Sequence, residues 1–183
     1  MKKIKKILSK NERIYLLDED KFKKNLLNFK NSFLKFFKEV HIGYSFKTNY
    51  LPYVCLIAKK LGCYAEVVSH QEYNLAKKIG FGKKILVNGP CKSEEFINEI
   101  IKNNCYLNVD SIEELNLLNK ILIKKKVFFN FSIRCNFKIN NKTSRFGIVL
   151  SIKNIKYINS LIKKNKYLKL NGVHCHLPYR SLS

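Results

Sequence analysis

Lys47 closes the run IGYSFK, and behind it come the turn-prone pair Thr48-Asn49 and then Pro52. An amine at the tip of an apolar strand is either a solvated end or a reactive group. If a fold holds it partly out of water, its pKa drops and it becomes a nucleophile. Other polar residues close apolar runs in the same way. Asn88 ends ILVN, Asp110 ends YLNVD, Arg134 ends FFNFSIR, and GVHCH ends on His176, two residues after His174. The pair in HCH is a weak metal signal, because no further ligand stands at the short spacing a zinc site uses. No metal is expected.

These tips need elements to position them. Asp18 or Asp20 can cap a helix over residues 20–38, and the stretch before it, RIYLLDED, reads as a short strand. From residue 41 onward, strand-like and helix-like stretches alternate six times. The strands are HIGYSFK, CYAEVVS, KKILVNGP, CYLNVDS, KVFFNFSIRCN and LNGVHCHL. The helices between them carry their own signals: Pro52 in a first turn, Gly62 at an end, Ser93 as an N-cap, and Ser111 with Glu114 in capping-box spacing. The stretch FKINNKTSRFG reads as a loop that enters the last helix, with Gly147 allowing close backbone approach.

Such alternation predicts a parallel sheet with helices outside it. A doubly wound sheet and a (β/α)8 barrel both satisfy it. No Gly-rich fingerprint follows the first strand, which counts against the dinucleotide-binding version. The strand faces favour the barrel. Ile42, Tyr44 and Phe46 oppose Gly43, Ser45 and Lys47; Phe129, Phe131 and Ile133 oppose Asn130, Ser132 and Arg134; Val173 and Cys175 oppose Gly172, His174 and His176. A doubly wound sheet needs both faces apolar. A barrel with a polar ligand at its C-terminal mouth needs one face of each kind. The fold expected is thus α/β, an incomplete (β/α)8 barrel of about six strand–helix units. Residues 1–40 would lead into it and residues 41–183 would form it.

Composition agrees with a folded domain: 46% of the 183 residues are hydrophobic. No apolar run approaches the ~20 residues of a membrane span, and MKKIKKILSK lacks the apolar core of a signal peptide. Six cysteines without CxxC spacing read as reduced thiols, buried where they lie in apolar runs (Cys55, Cys135, Cys175), so a cytoplasmic setting is expected. The net charge of +23 would suit a phosphate backbone, but the lysines are scattered, only four residues are arginine, and no nucleic-acid-binding motif is present. No specific nucleic-acid partner is expected.

Six motifs in order, YSFKTN, AEVVSHQE, ILVNGPCKS, LNVDSIEEL, SRFG and GVHCH, resemble the N-terminal barrel of the pyridoxal-phosphate enzymes of the alanine racemase and ornithine/diaminopimelate decarboxylase fold. The resemblance covers roughly residues 12–177, and SRFG with GVHCH leans toward the diaminopimelate decarboxylase branch. It implies pyridoxal 5'-phosphate as cofactor and a small-molecule amino acid as substrate, decarboxylated by a homodimer. It also implies roles. Lys47 would be the Schiff-base lysine, His176 would stack on the cofactor ring, Glu66 would lie near the cofactor, and Arg134 would join the polar network beside it. Ser144 and Arg145 read as structural more than catalytic, and His174 as either interior or functional.

The sequence also departs from the family. Where the decarboxylases continue GVHCH with Gly-Ser, whose serine helps hold the phosphate, this chain reads LPYRSLS; Ser181 would do that work from a longer loop. Strands seven and eight, the Gly-rich phosphate loop and the β-domain that supplies the partner's cysteine are not in the sequence. The chain is therefore expected to be part of a longer enzyme and inactive alone. A racemase-like enzyme, a non-catalytic carrier of the cofactor and a basic binding protein stay open beside the decarboxylase.

Overall fold

The computed structural model describes Ser9 and residues 15–139 and 142–176. Contacts divide the chain at His41/Ile42. The first unit carries helix α1 (Glu19–Leu34), capped by Asp18, whose carboxylate accepts from Lys21 N at 2.9 Å. The stretch expected to be a strand before it is unpaired coil over its described part, 15–17.

The second unit alternates β1 (Gly43–Ser45), α2 (Pro52–Lys60), β2 (Tyr64–Val67), α3 (His70–Ile79), β3 (Ile85–Val87), α4 (Glu94–Lys102), β4 (Tyr106–Val109), α5 (Ile112–Lys125) and β5 (Phe129–Asn136). After β5 come a two-stranded antiparallel ribbon, β6 (Lys138–Ile139) with β7 (Lys142–Thr143), then β8 (Ile148–Val149), α6 (Ile152–Lys164) and β9 (Leu168–Cys175). The long loop expected here therefore contains the ribbon. SRFG leads into the short strand β8 rather than straight into the helix.

Strands β1 to β5 pair in chain order, all parallel, and β9 follows on β5. A doubly wound sheet would reverse direction at a switch point. A sheet that winds one way, with a helix after each strand, is the wall of a (β/α) barrel. β8 pairs with Cys135 and Asn136, beyond the positions of β5 that pair with β4.

The helices start where serines allow them to. Ser69, Ser93, Ser111 and Ser151 are N-caps, and each side chain accepts from the backbone N–H three residues on. This satisfies one of the amide donors that a helix start leaves open, and it fixes where each strand-to-helix loop ends. The core lies between sheet and helices. Phe46, Val67, Ile85, Val87, Leu107, Val109 and Phe131 from the sheet side meet Cys55, Ala76, Ile97, Ile100, Leu118 and Leu122 from the helices. Cys55 and Cys135 are buried as expected, and burial raises the Cys55 thiol to about 11. Cys175 is exposed, against expectation: β9 is buried at its first residue, Leu168, and its face opens to solvent toward its C-terminal end. No helix among the described residues is long and apolar enough to cross a membrane.

Candidate functional site

The alternation along each strand sends one face to the core and the other into a cleft. Phe46 is fully buried, while Gly43, Ser45 and Lys47 line the cleft. β2 adds Glu66, β3 adds Leu86 and, just past its end, Asn88, β5 adds Arg134, and β9 adds His174 and His176. Ser144, Arg145 and Phe146 close one side. The space is about 730 Å³, at the C-terminal ends of the strands. The structure thus brings Lys47, Glu66, Arg134 and His176 together. Ser181 lies outside the described residues.

Lys47 sits in the turn after β1. Thr48 holds that turn by donating its N–H (3.3 Å) and its hydroxyl (2.8 Å) to Ser45 O. Asn49 Oδ1 then accepts from Leu51 N, and Pro52 opens α2. This is why the apolar run breaks at KTN. Partial desolvation of the amine was expected; the structure leaves Lys47 exposed, in no hydrogen bond or ion pair among the described residues.

Across the floor runs a row of amides. Asn88 Nδ2 donates to Glu66 Oε1 at 2.7 Å, and Asn108 Nδ2 donates to Asn88 Oδ1. Parallel register makes the row possible, because Glu66 pairs with Leu86 and Val87 with Leu107, which puts these side chains on one face of three adjacent strands. Gly89 follows at φ 83°, and a Cβ there would meet Val68 O at 2.7 Å, so the turn past β3 requires glycine. Behind the row, Lys92 Nζ bonds Glu114 Oε1 at 2.8 Å, with both side chains buried. Burial pushes the Glu114 carboxyl above its usual range, and the Lys92 charge pulls it back. Glu114 was expected to complete a capping box. Its N–H does meet Ser111 Oγ, but its carboxylate turns inward to Lys92 instead.

On the opposite side, Arg134 Nη1 donates to Asp110 Oδ1 at 2.8 Å, and Asp110 Oδ2 accepts from Gly147 N at 3.2 Å. Asp110 thereby ties the end of β4 to β5 and to the loop before β8. Gly147 has φ 86°, and a Cβ would crowd Arg134 O at 3.0 Å, so the expected close approach is present. The guanidinium groups of Arg134 and Arg145 both lie over the Phe146 ring, at 5.1 and 4.8 Å. His174 Nδ1 is buried with no hydrogen-bond partner among the described residues. Burial, then the charges of Arg134 and His176, lowers the His174 pKa from its ordinary 6.5, against Glu66 and Asp110. With Lys47, Arg134 and Arg145 set against Glu66, the cleft favours an anionic ligand.

A one-way parallel sheet with a basic cleft at its strand ends defines the class as a (β/α)-barrel binding domain. The chain belongs to the family described as pyridoxal-dependent decarboxylase, pyridoxal binding domain, which matches residues 19–179. It is 32% identical over 184 aligned positions to diaminopimelate decarboxylase of Methanocaldococcus jannaschii, covering 90% of this chain and 41% of that protein. The crystal structure of that enzyme superposes with a TM-score of 0.78 over 87% of this chain. Diaminopimelate decarboxylase (I148L mutant) of Helicobacter pylori, complexed with L-lysine, is 28% identical and superposes with a TM-score of 0.83, over 95% of this chain and 46% of its own. The chain thus spans about two-fifths of the length of the relatives it matches.

Sequence reasoning picked out the strand tips Asn88 and Asp110, missed Asn108 and Lys92, and read Glu114 only as half of a capping box. A lysine two residues past a Gly-Pro turn resembles any surface lysine, and only the partner side chains distinguish it.

Proposed function

We propose that the protein is a pyridoxal-phosphate-dependent amino-acid decarboxylase, most like diaminopimelate decarboxylase. The observation that carries this reading is the convergence of Lys47, Glu66, Arg134, His174 and His176 on one basic cleft at the strand ends. These residues suit the cofactor. Lys47 offers an amine for its aldehyde, Arg134 and Arg145 offer positive charge for its phosphate, and the unpartnered His174 Nδ1 offers a hydrogen-bonding position. Bound pyridoxal phosphate supplies the electron sink that accepts the pair left behind when an α-carboxylate departs.

The chain's own groups do the rest. Lys47 Nζ holds the cofactor and gives it up to the substrate amine. His176 presents a flat ring to it. Glu66, anchored on Asn88, keeps a carboxylate directed at it, and Arg134, anchored on Asp110, keeps that side of the cleft positive. In this reading the substrate is an amino acid with a second charged group, in keeping with the kinship to diaminopimelate decarboxylases, and the working assembly is a homodimer.

Borohydride reduction of the protein with pyridoxal phosphate, followed by peptide mapping, should mark Lys47 above all other lysines. A label spread over surface lysines and unchanged in Lys47→Ala would overturn the assignment. Carbon dioxide released from diaminopimelate, compared with ornithine, arginine and carboxynorspermidine, would identify the substrate.

A further inference from the structure

Behind the cleft floor lies a charge pair that the chemistry above does not use. The Lys92 and Glu114 side chains are 2% and 5% exposed. Taking both charges out of water is costly, so a pair this deep persists for what its bonds hold. Lys92 Nζ has three N–H donors and three acceptors: Glu114 Oε1, Gly89 O and Asn108 O. The two carbonyls belong to the ends of neighbouring strands, Gly89 just past β3 and Asn108 within β4. The ammonium therefore clamps the C-terminal ends of β3 and β4 together from below.

That clamp stands at the head of the amide row. Asn108, whose carbonyl Lys92 holds, directs its side chain to Asn88, and Asn88 directs its amide nitrogen to Glu66. The Asn88 amide has one orientation that satisfies both neighbours, Oδ1 accepting from Asn108 and Nδ2 donating to Glu66. Glu66 is the only member of the row that lines the cleft as a charge.

We propose that Lys92 is a positioning residue: anchored on Glu114, it locks the ends of β3 and β4 so that Asn108 and Asn88 hold the Glu66 carboxylate in one orientation toward the ligand. The proposal rests on the reading that the cleft takes pyridoxal phosphate.

The test compares the protein with Lys92→Met/Glu114→Met, which removes both charges and leaves no stranded carboxylate, and with the surface control Lys77→Met. Two quantities are read: hydrogen exchange of the Asn88 side-chain amide by NMR, and the dissociation constant for pyridoxal phosphate by equilibrium dialysis. In the folded double variant the amide should exchange about tenfold faster or more and the dissociation constant should rise about tenfold, as expected when a charge-supported hydrogen bond is lost. Lys77→Met should change neither. A folded double variant with both values within about twofold of the parent overturns the proposal. If the double variant does not fold, Glu114→Gln keeps an acceptor for Lys92 without the charge. Exchange at Asn88 should still rise severalfold in it, and unchanged exchange overturns the proposal. A parent protein that takes up no pyridoxal phosphate would overturn the proposed function, and Asn88 exchange alone would then decide the role of Lys92.

Discussion

The two sides of the cleft are built differently. From β2 to β4, Glu66, Asn88 and Asn108 bond one another across adjacent strands, with Lys92 and Glu114 buried beneath them. From β5 to β9, one ion pair, Arg134 with Asp110, supports a loop. His174 keeps a buried nitrogen unpartnered, and Val173 on the outer face of β9 is 69% exposed. The first side is a connected network, in which a buried oxygen, Glu114 Oε2, is left over only beneath the floor, away from the cleft lining. On the second side a group left over among the described residues, His174 Nδ1, belongs to a residue that lines the cleft. The two walls thus differ in where their spare hydrogen-bonding capacity lies: behind the floor on one side, at the cleft on the other.

The contrast can be broken from its strongest point downward. Lys92→Met strands a buried carboxylate and should cost about 3–5 kcal/mol in urea unfolding. A loss below about 1 kcal/mol would mean that the floor is not held from beneath. Arg134→Met removes the partner of Asp110, whose second oxygen keeps only Gly147 N. The expected loss is smaller, about 1.5–3 kcal/mol, and it should be accompanied by increased proteolysis near the loop 144–147.

His174 gives the next effect, with a definite sign. Its folded pKa lies below the unfolded value near 6.5, so the native state binds fewer protons. Its contribution is in full force above about 6.5, fades as pH falls through that value, and stops changing below the folded pKa. Melting temperature followed from about pH 8 to about pH 5 should fall in this window, and His174→Gln should flatten that part of the curve. An unchanged slope would show that His174 is well hydrated. Val173→Ala, on the exposed face of β9, should alter the stability of the 183-residue chain by less than about 0.5 kcal/mol, whereas Ile85→Ala, fully buried in β3, should cost about 2–5 kcal/mol.

Much of this architecture was legible in the chain. Period-two alternation with small and polar residues on one face separated cleft from core in β1 and β5, because successive side chains of a strand must point to opposite sides. Ser93 and Ser111 marked helix starts, since a hydroxyl that accepts an orphan N–H acts within four residues. Motif order placed Lys47, Glu66, Arg134 and His176 in one family pattern, and the sheet brings those four to one cleft. Local interactions carried all of these signals.

What the sequence left undecided depends on distance and phase. β9 runs Leu168, Leu170, Val173, Cys175 along one face, which strict alternation forbids. The register with β5 slips between Phe131 and Ser132, so that Leu170 pairs with Phe131 but Gly172 with Ser132. Asn171 is the extra residue, and the slip is what turns His174 and His176 into the cleft. Gly172 fits there because a Cβ would lie 3.0 Å from Ser132 Oγ. Likewise, Glu114 stands at capping-box spacing yet reaches Lys92, 22 residues away in the chain. Local pattern determines which residues can face a site. Only the packing of strands, loops and helices on one another determines which charges meet, because an ion pair is specified by separation in space and the chain encodes that separation through every element between.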